Sequence, residues 1–274
     1  MATVQSLKKK LQTIRSTTKL TRAMKTASTV KYSKLSGIYG EYEKYADEYL
    51  RLYESYRGEF DSVLPDGNPD APCCYVVITS NKGMCGSFNS ELLTFFSRLD
   101  EKGIVVSCGK KADEYFSNKG IEVQKSIIFD DVPSYEQVKE LYEYIHSLMQ
   151  QGKASSVKTV YPEYVNTIKQ RPVCKELFSC SQEKAVGEAP LFVPDRETVI
   201  KNTAEKIYLC ILYKRVLETA LGAQAATLTA MRSAYDTALE YSAKLETEMN
   251  RKRQSQVTAD VLEISSEFTM TGDI

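Results

Sequence analysis

The sequence predicts an α/β protein in which long N- and C-terminal helices form an antiparallel coiled coil and flank a central Rossmann-like α/β domain. Three observations support this fold class. All eight prolines lie between Pro65 and Pro194, both ends carry apolar side chains at helical spacing, and the middle alternates short apolar runs with helical stretches. Proline and glycine disfavour helix interiors, so the proline-free ends are expected to be helical.

The first predicted helix covers residues 1–60. Most positions spaced alternately three and four apart from Val4 to Tyr56 are apolar or aromatic, which is the pattern of a coiled-coil seam. The seam has a polar interruption at 18–28. Through it the apolar residues shift, so the buried stripe is expected to rotate and to meet something other than the partner helix. The shifted residues are Leu20, Met24, Ala27 and Val30.

The last predicted helix covers residues 195–270. It carries a similar apolar stripe, with polar Ser242 as the exception, at Leu228, Met231, Tyr235, Ala238, Leu245 and Met249. A helix of about 70 residues would be about 105 Å long. A single helix of that length would leave its apolar stripe in water, so the two ends are expected to pair with each other.

Between the two helices, residues 73–180 are predicted to form the α/β domain. Alternating strands and helices of this length are typical of a parallel sheet covered by helices. The predicted strands are 74–80, 104–109, 121–127, 155–165 and 171–180, and the predicted helices are 89–101, 111–118 and 134–150. Residues 181–194 are predicted to link this domain to the final helix.

Composition argues against several kinds of site. The 274 residues contain 36 basic and 36 acidic side chains, seven cysteines and a single histidine, His146. No paired C-x-x-C spacing suits zinc, and one histidine excludes a multi-histidine metal site. The cysteines are expected to be reduced. With no secretory signal and no run of eighteen apolar residues, we expect a compartment reached without translocation and no bilayer-spanning helix.

The most unusual local stretch is ITSNKGMCGSFN (78–89), in which a predicted strand turns through Gly83 and Gly86 into a helix. Backbone N–H groups there could cradle a phosphate, but the spacing is neither a P-loop nor G-x-G-x-x-G. A packed turn that needs positive φ is the favoured interpretation. Cys85 and His146 could form a nucleophile and base, but a structural thiol and a surface histidine are favoured.

The first forty residues hold nine Lys or Arg and no acidic residue. A cleaved organellar presequence and a solvated basic face are the alternatives. Because the apolar stripe continues into the tyrosine-rich half without a loop, we expect a permanent basic stem that faces acidic partner surfaces.

Three stretches resemble, in order and spacing, the signature stretches of the gamma subunit of F-type ATP synthases. They are TTKLTRAMKTASTVKYSKL (17–35), ITSNKGMCGSFNSELL (78–93) and NRKRQSQVTADVLEI (250–264). The resemblance covers nearly the whole chain. It implies a non-catalytic rotor-stalk subunit that couples rotation of a membrane ring to ATP synthesis or hydrolysis.

The resemblance also implies the partners. The paired helices would meet the alpha and beta subunits of the hexamer, and the α/β domain would lie near the epsilon subunit and the c-ring. No cofactor, metal or nucleic acid is expected. Membrane association would occur only through the complex, peripherally, at the cytoplasmic face of a bacterial plasma membrane.

Six residues match the family's partner-contact positions: Met24, Lys25, Arg253, Gln254, Thr258 and Asp260. Asp260 stands where the family usually has Glu. Two further positions depart from the family pattern, because Ala223 and Thr227 replace a usual Glu and a usual Arg. These departures indicate a divergent member that lacks two charged rotor contacts.

Two other classes of protein are the alternatives. An α/β nucleotide-binding protein or enzyme dimerised through helical arms would need a polar pocket at the carboxyl ends of the strands. A coiled-coil scaffold would leave the stretch at 78–89 unexplained.

Overall fold

The computed structural model describes residues 3–61, 68–99, 103–179 and 195–271. The predicted linker at 181–194 and Cys180 lie outside these residues. The chain forms two compact units. The helical unit contains the chain up to Ala27 and from Ala230 onward, and the sheet unit runs from Ser28 to Thr229.

The elements follow the predicted order. The helices are α1 (Val4–Ser55), α2 (Arg57–Asp61), α3 (Phe88–Ser97), α4 (Lys110–Lys119), α5 (Tyr135–Gln150) and α6 (Arg196–Thr271). The strands are β1 (Cys74–Ile78), β2 (Ile104–Cys108), β3 (Val123–Ile127), β4 (Ser156–Tyr164) and β5 (Gln170–Ser179). The two long terminal helices are therefore confirmed. In the part of the chain described, no helix has the length and apolarity needed to cross a bilayer.

The five strands form one sheet in the order β3-β2-β1-β4-β5. Strand β1 pairs in parallel with β2 and β4, and β2 pairs in parallel with β3. The parallel sheet is confirmed. Strand β5 runs antiparallel to β4, because only a short connection at 165–169 separates the two strands. The fold is thus a doubly wound sheet with one antiparallel edge.

Alternation along β1 gives the sheet unit two cores. Val76 and Ile78 belong to a buried cluster that includes Ile145 of α5 and Leu212 of α6. The other face, which includes Tyr75 of β1, packs with residues of α3 and α4. That second cluster contains Tyr75, Val77, Leu92 and Phe116. Burial on both faces explains why β1 reads as a continuous apolar run.

Within each unit α1 and α6 pair antiparallel. In the helical unit, Leu7 and Leu11 pack with Leu245. In the sheet unit, the cluster between the helices contains Leu35, Tyr39, Leu217 and Leu221. All four of these side chains are at most 9% exposed. The predicted pairing of the terminal segments is confirmed.

The predicted rotation of the stripe at 18–28 is wrong. Leu20 is 56% exposed, whereas Thr21 is 6% exposed, and Ser28 is also buried. The Thr21 hydroxyl donates to the carbonyl of Thr17 at 3.1 Å, so its burial leaves no unmade hydrogen bond. The seam therefore keeps its register by burying small polar residues, and the apolar side chains of Leu20 and Val30 face outward.

Gly222 lies in α6 at a point where side chains of α3 and β5 approach the helix closely. A Cβ at Gly222 would lie 3.1 Å from Cε2 of Phe88 and 3.2 Å from Cγ of Gln170. A Cβ at Gly37 in α1 would meet nothing within 4 Å. Gly37 and Gly222 therefore allow a matched comparison, because both lie in long helices but only Gly222 is closely packed.

We expect Gly37→Ala to raise the free energy of unfolding by about 0.5–1 kcal/mol, the usual gain in helix propensity. Gly222→Ala is expected to give no gain or a loss, because the added methyl presses on buried Phe88. Urea unfolding of both variants measures the difference. Equal gains at the two positions would contradict the close approach.

Candidate functional site

The six predicted partner-contact residues all belong to the helical unit. Met24 and Lys25 are half-buried on α1, and the four C-terminal residues, Arg253, Gln254, Thr258 and Asp260, are exposed on α6. Lys25 lies at the level of Tyr235, which is about 27 Å along α6 from Arg253 at 1.5 Å per residue. The structure thus places the predicted residues in two separate groups.

Lys25 has an aromatic neighbour that sequence reasoning missed. Its Nζ lies 5.7 Å from the centroid of the Tyr235 ring, a cation–π contact across the helix pair. About 15 Å nearer the start of α1, Arg15 forms an ion pair with Glu246 at 2.7 Å between Nη2 and Oε1. These contacts hold cationic side chains against α6 while leaving part of each exposed.

The end of α6 carries an apolar stripe that the described residues do not cover. Val257, Val261 and Ile264 are spaced four and three apart, so they share one helix face. Together with Leu262 they are between 55% and 65% exposed. Arg253, one turn before Val257, extends the same face. An apolar stripe of this length on an unpaired helix requires a partner surface.

Thr258 belongs to this end of α6. Its hydroxyl donates to the carbonyl of Gln254 at 2.9 Å, one turn earlier on the same helix. The hydroxyl oxygen can still accept a hydrogen bond. Arg253, Gln254 and Thr258 therefore present donors and an acceptor beside the apolar stripe.

The basic face of α1 is exposed in the helical unit. Lys8, Lys9, Lys10, Lys19 and Arg22 are all exposed, and among the described residues none of these five forms an ion pair. Their charges are therefore available to an acidic surface.

The sheet unit contains a cleft at the place where doubly wound folds bind ligands. It lies at the carboxyl end of β1, between the segment that follows β3 and helix α6. Its walls include Asn81 after β1, Asp130 and Asp131 before α5, and Ala220 of α6. This cleft is the feature that the alternative, a nucleotide-binding protein, would need.

At the start of α4, where a phosphate would bind in a nucleotide-binding protein, the backbone N–H groups are bonded to the chain itself. Thr79 Oγ1 accepts a hydrogen bond from the Ala112 N–H at 3.0 Å, and Asn81 Oδ1 accepts one from the Lys110 N–H at 3.2 Å. The Lys111 N–H donates to the carbonyl of Ser80 at 3.3 Å. Free first-turn N–H groups are what bind a phosphate, and here they are already paired.

Helix α5 also begins against a protein group, because Ser134 caps it and accepts from the Gln137 N–H at 3.3 Å. In the first turn of α3, the side chain of Asn89 accepts from the Ser80 N–H at 3.1 Å and donates to Cys85 Sγ at 3.2 Å. Asn89 thereby ties the turn at 78–89 to the helix that follows.

This turn needs positive φ, as predicted, but at one glycine only. Gly86 has φ of 60°, and the second positive value, 63°, is at Met84 rather than Gly83. The Met84 side chain is 59% exposed. The turn packs on α6, where Cys85 and Phe88 join a buried cluster with Ala223.

Cys85 and His146 have different neighbours. Cys85 is buried beside Asn89, whereas the His146 ring stacks on Tyr142 in α5 at 5.6 Å between centroids. Burial lowers the pKa of His146, so its neutral form is favoured. No disulfide joins the described cysteines, of which only Cys73 and Cys174 are more than slightly exposed. No group of three potential metal ligands occurs in the described parts of the chain.

The two departures from the family pattern have a structural setting. Ala223 is 7% exposed beneath the turn, and the hydroxyl of Thr227 donates to the carbonyl of Ala223 at 2.8 Å. A glutamate at 223 would place a charge against Cys85 and Phe88, which costs free energy unless it is paired. Here the two positions serve internal packing.

Sequence reasoning missed two sets of charged residues in the sheet unit. Asp131 pairs with both Lys31 and Lys82, and these two hydrogen-bonded ammonium groups lower its pKa. In α6, Glu218 is buried and Arg215 is half-buried. Three charged residues within the mostly apolar run 209–228, Lys214, Arg215 and Glu218, were the available signal.

Comparisons with known proteins agree over almost the whole chain. The model of the family described as "ATP synthase" matches residues 3–269. The "ATP synthase gamma chain" of Rubrobacter xylanophilus is 29% identical over 282 residues, covering 97% of each chain. The protein of the same name from Desulforamulus reducens is 26% identical, covering 96% of this chain and 97% of the relative.

Solved structures match the fold. A chain of the Euglena gracilis mitochondrial ATP synthase (OSCP/F1/c-ring) aligns with a TM-score of 0.77 and 16% identity, covering 98% of this chain and 94% of its own length. A chain of the Tetrahymena thermophila central stalk and c-ring aligns with a TM-score of 0.62 and 19% identity, covering 78% and 99%. At these identities the likeness concerns the fold alone.

Proposed function

Because this chain belongs to the ATP synthase family, we propose that it is the gamma subunit of an F-type ATP synthase, the rotor stalk that couples turning of the c-ring to ATP synthesis or hydrolysis. The observation that carries the proposal is the uncovered apolar stripe on α6, flanked by Arg253 and Thr258. A stalk held inside a ring of subunits needs a face of this kind, with apolar area for contact and polar groups for register.

The helical unit supplies the surface toward the alpha and beta subunits. Pairing of Leu7 and Leu11 with Leu245 stiffens the two helices against each other. Met24 and Lys25 form one contact region on α1. The other lies on α6 and comprises Arg253, Gln254, Thr258 and Asp260. The exposed lysines of α1 attract acidic surfaces of the surrounding subunits.

The sheet unit supplies the surface toward the epsilon subunit and the c-ring. In this unit α1 and α6 are fixed to the sheet through shared cores, one of which contains Ile145 and Leu212. Close packing resists deformation, so torque received by the sheet is passed to the helices.

The subunit itself is proposed to be non-catalytic. Thr79 and Asn81, which line the cleft after β1, are already paired with first-turn N–H groups of α4. Nucleotide chemistry belongs to the partner subunits, and no cofactor or metal is assigned to this chain. We further propose that the complex works at the cytoplasmic face of a bacterial plasma membrane, where this subunit is peripheral.

The test is co-expression of the chain with the alpha and beta subunits encoded in the same genome. We expect a stable complex that hydrolyses ATP and in which this chain co-purifies with the alpha and beta subunits. The purified chain alone is expected neither to hydrolyse ATP nor to bind it at micromolar concentration, because the phosphate position is filled. Isothermal titration calorimetry and a phosphate-release assay measure both.

Matched controls address the alternative. Turnover by the purified chain that disappears in Cys85→Ser or His146→Ala would overturn the proposal in favour of an enzyme. Failure to assemble with alpha and beta subunits would overturn it in favour of a scaffold.

A further inference from the structure

Glu218 is a buried acid in α6 that the proposed rotor function does not use. Glu218 is 6% exposed, and its Oε1 accepts a hydrogen bond from the backbone N–H of Tyr164 at 2.9 Å. Tyr164 is the last residue of β4. This single hydrogen bond connects the long helix to the carboxyl end of a sheet strand.

The cationic groups near Glu218 are engaged elsewhere. Lys214 pairs with Asp47 of α1 at 2.7 Å, and Lys175 of β5 pairs with Glu163 of β4 at 2.6 Å. Arg215 lies close enough to feel the charge of Glu218, but its guanidinium donates to Thr159 Oγ1 at 2.6 Å and forms no ion pair with Glu218. Within the described residues Glu218 forms no ion pair.

The other groups that face Glu218 are acids or phenols. From α1, Tyr39 lies close and donates its hydroxyl to Glu43 at 3.0 Å. From β4, buried Tyr161 and the carboxylate of Glu163 lie close. An ionised Glu218 would therefore be a buried charge without a counter-ion of its own.

We propose that Glu218 is a pH-sensitive fastening of α6 to β4, in which the neutral acid holds the helix on the sheet and loss of its proton loosens the contact. Ionisation places an unpaired charge at the junction of α1, α6 and β4. The amide of Tyr164 favours the ionised acid, but burying that charge costs more than the hydrogen bond gains, so the packing of α6 on β4 is most stable when the carboxyl keeps its proton.

The titration range follows from the surroundings. Burial, the largest cause, raises the pKa of Glu218 to about 7, and the charge of Glu163 adds to the rise. The Tyr164 amide and the two lysines act in the opposite direction. Between about pH 4.5 and pH 7 the unfolded chain loses this proton while the folded chain retains it, so stability falls as the pH rises.

The experiment compares the full chain with Glu218→Gln, in which the amide oxygen can still accept from Tyr164. Urea unfolding from pH 5 to pH 8 gives the ratio of the two folding constants. We expect this ratio to rise roughly 10- to 100-fold in favour of the glutamine variant. Parallel stability profiles for the two proteins would overturn the proposal.

A neighbouring acid provides the control. Glu163 is paired with Arg171 and Lys175, and the hydrogen bond from Lys175 is the largest cause that lowers its pKa. Glu163→Gln is therefore expected to gain nothing at pH 8. If Glu218→Gln does not fold, the carboxyl carbon-13 shift of Glu218 in the unaltered chain decides. A midpoint near 7 supports the proposal, and a midpoint near 4.5 overturns it.

Discussion

Arg253→Ala is expected to lower ATP-driven ion pumping by the assembled complex about 10- to 100-fold, while the melting temperature of the free subunit stays nearly constant. Arg253 is exposed and, among the described residues, forms no ion pair. Its removal therefore changes folding by less than about 0.5 kcal/mol. A charged hydrogen bond to a partner subunit is worth about 1.5–3 kcal/mol, which corresponds to the expected factor in rate.

The same comparison applies to Gln254→Ala and Lys25→Ala. For Lys25 a small loss of stability, about 0.5–1 kcal/mol, is expected in addition, because the cation–π contact with Tyr235 is lost. Arg98→Ala is the control, since Arg98 is an exposed arginine of the sheet unit. A destabilised free subunit combined with a normal rate in the complex would assign Arg253 a structural role.

Leu35→Ala is expected to lower the free energy of unfolding by about 2–5 kcal/mol, the cost of a cavity in a close-packed core. Leu35 is completely buried between α1 and α6, where it packs with Leu217 and Leu221. Urea denaturation of the purified full-length chain, monitored by circular dichroism, measures the loss.

Leu20→Ala is the matched control, with the same change on the same helix. Leu20 is 56% exposed, so a change of less than about 0.5 kcal/mol is expected. A large loss for Leu20→Ala and a small one for Leu35→Ala would mean that the apolar stripe rotates after all. That result would contradict the seam as the structure has it.

The strands and long helices could be predicted because their signals are local. Five apolar runs of strand length and two proline-free ends are visible in the sequence, and the structure matches them within a few residues. The antiparallel direction of β5 was left open, since pairing direction depends on contacts between segments. The predicted helix 89–101 ends earlier in the structure, where α3 stops at Ser97.

The seam at 18–28 could not be predicted from hydrophobicity. Thr21 enters the core because its hydroxyl bonds to its own helix, which removes the cost of burying a polar group. The Lys25–Tyr235 contact depends on the register between two helices, which single-sequence periodicity does not supply. The role of Glu218 could not be predicted from the sequence, because it depends on the backbone N–H of Tyr164, which meets the carboxyl only in the folded chain.

The partner-contact residues came from a family resemblance, and their roles stay predictions. What the structure adds is their setting: two groups on one unit, one partly enclosed beside Tyr235 and one on an exposed helix end. The exposed stripe that begins at Val257 was not among the predicted sites, although its spacing was readable from the sequence.

The most direct test of the rotor function is single-molecule rotation. The alpha and beta subunits are immobilised, and a bead is attached to this chain at the exposed end of α4 through Lys119→Cys, with Cys73, Cys174 and Cys180 replaced by serine. We expect sustained rotation in one direction on addition of ATP and none without it. ATP hydrolysis by the assembled complex with a bead that never turns would contradict it.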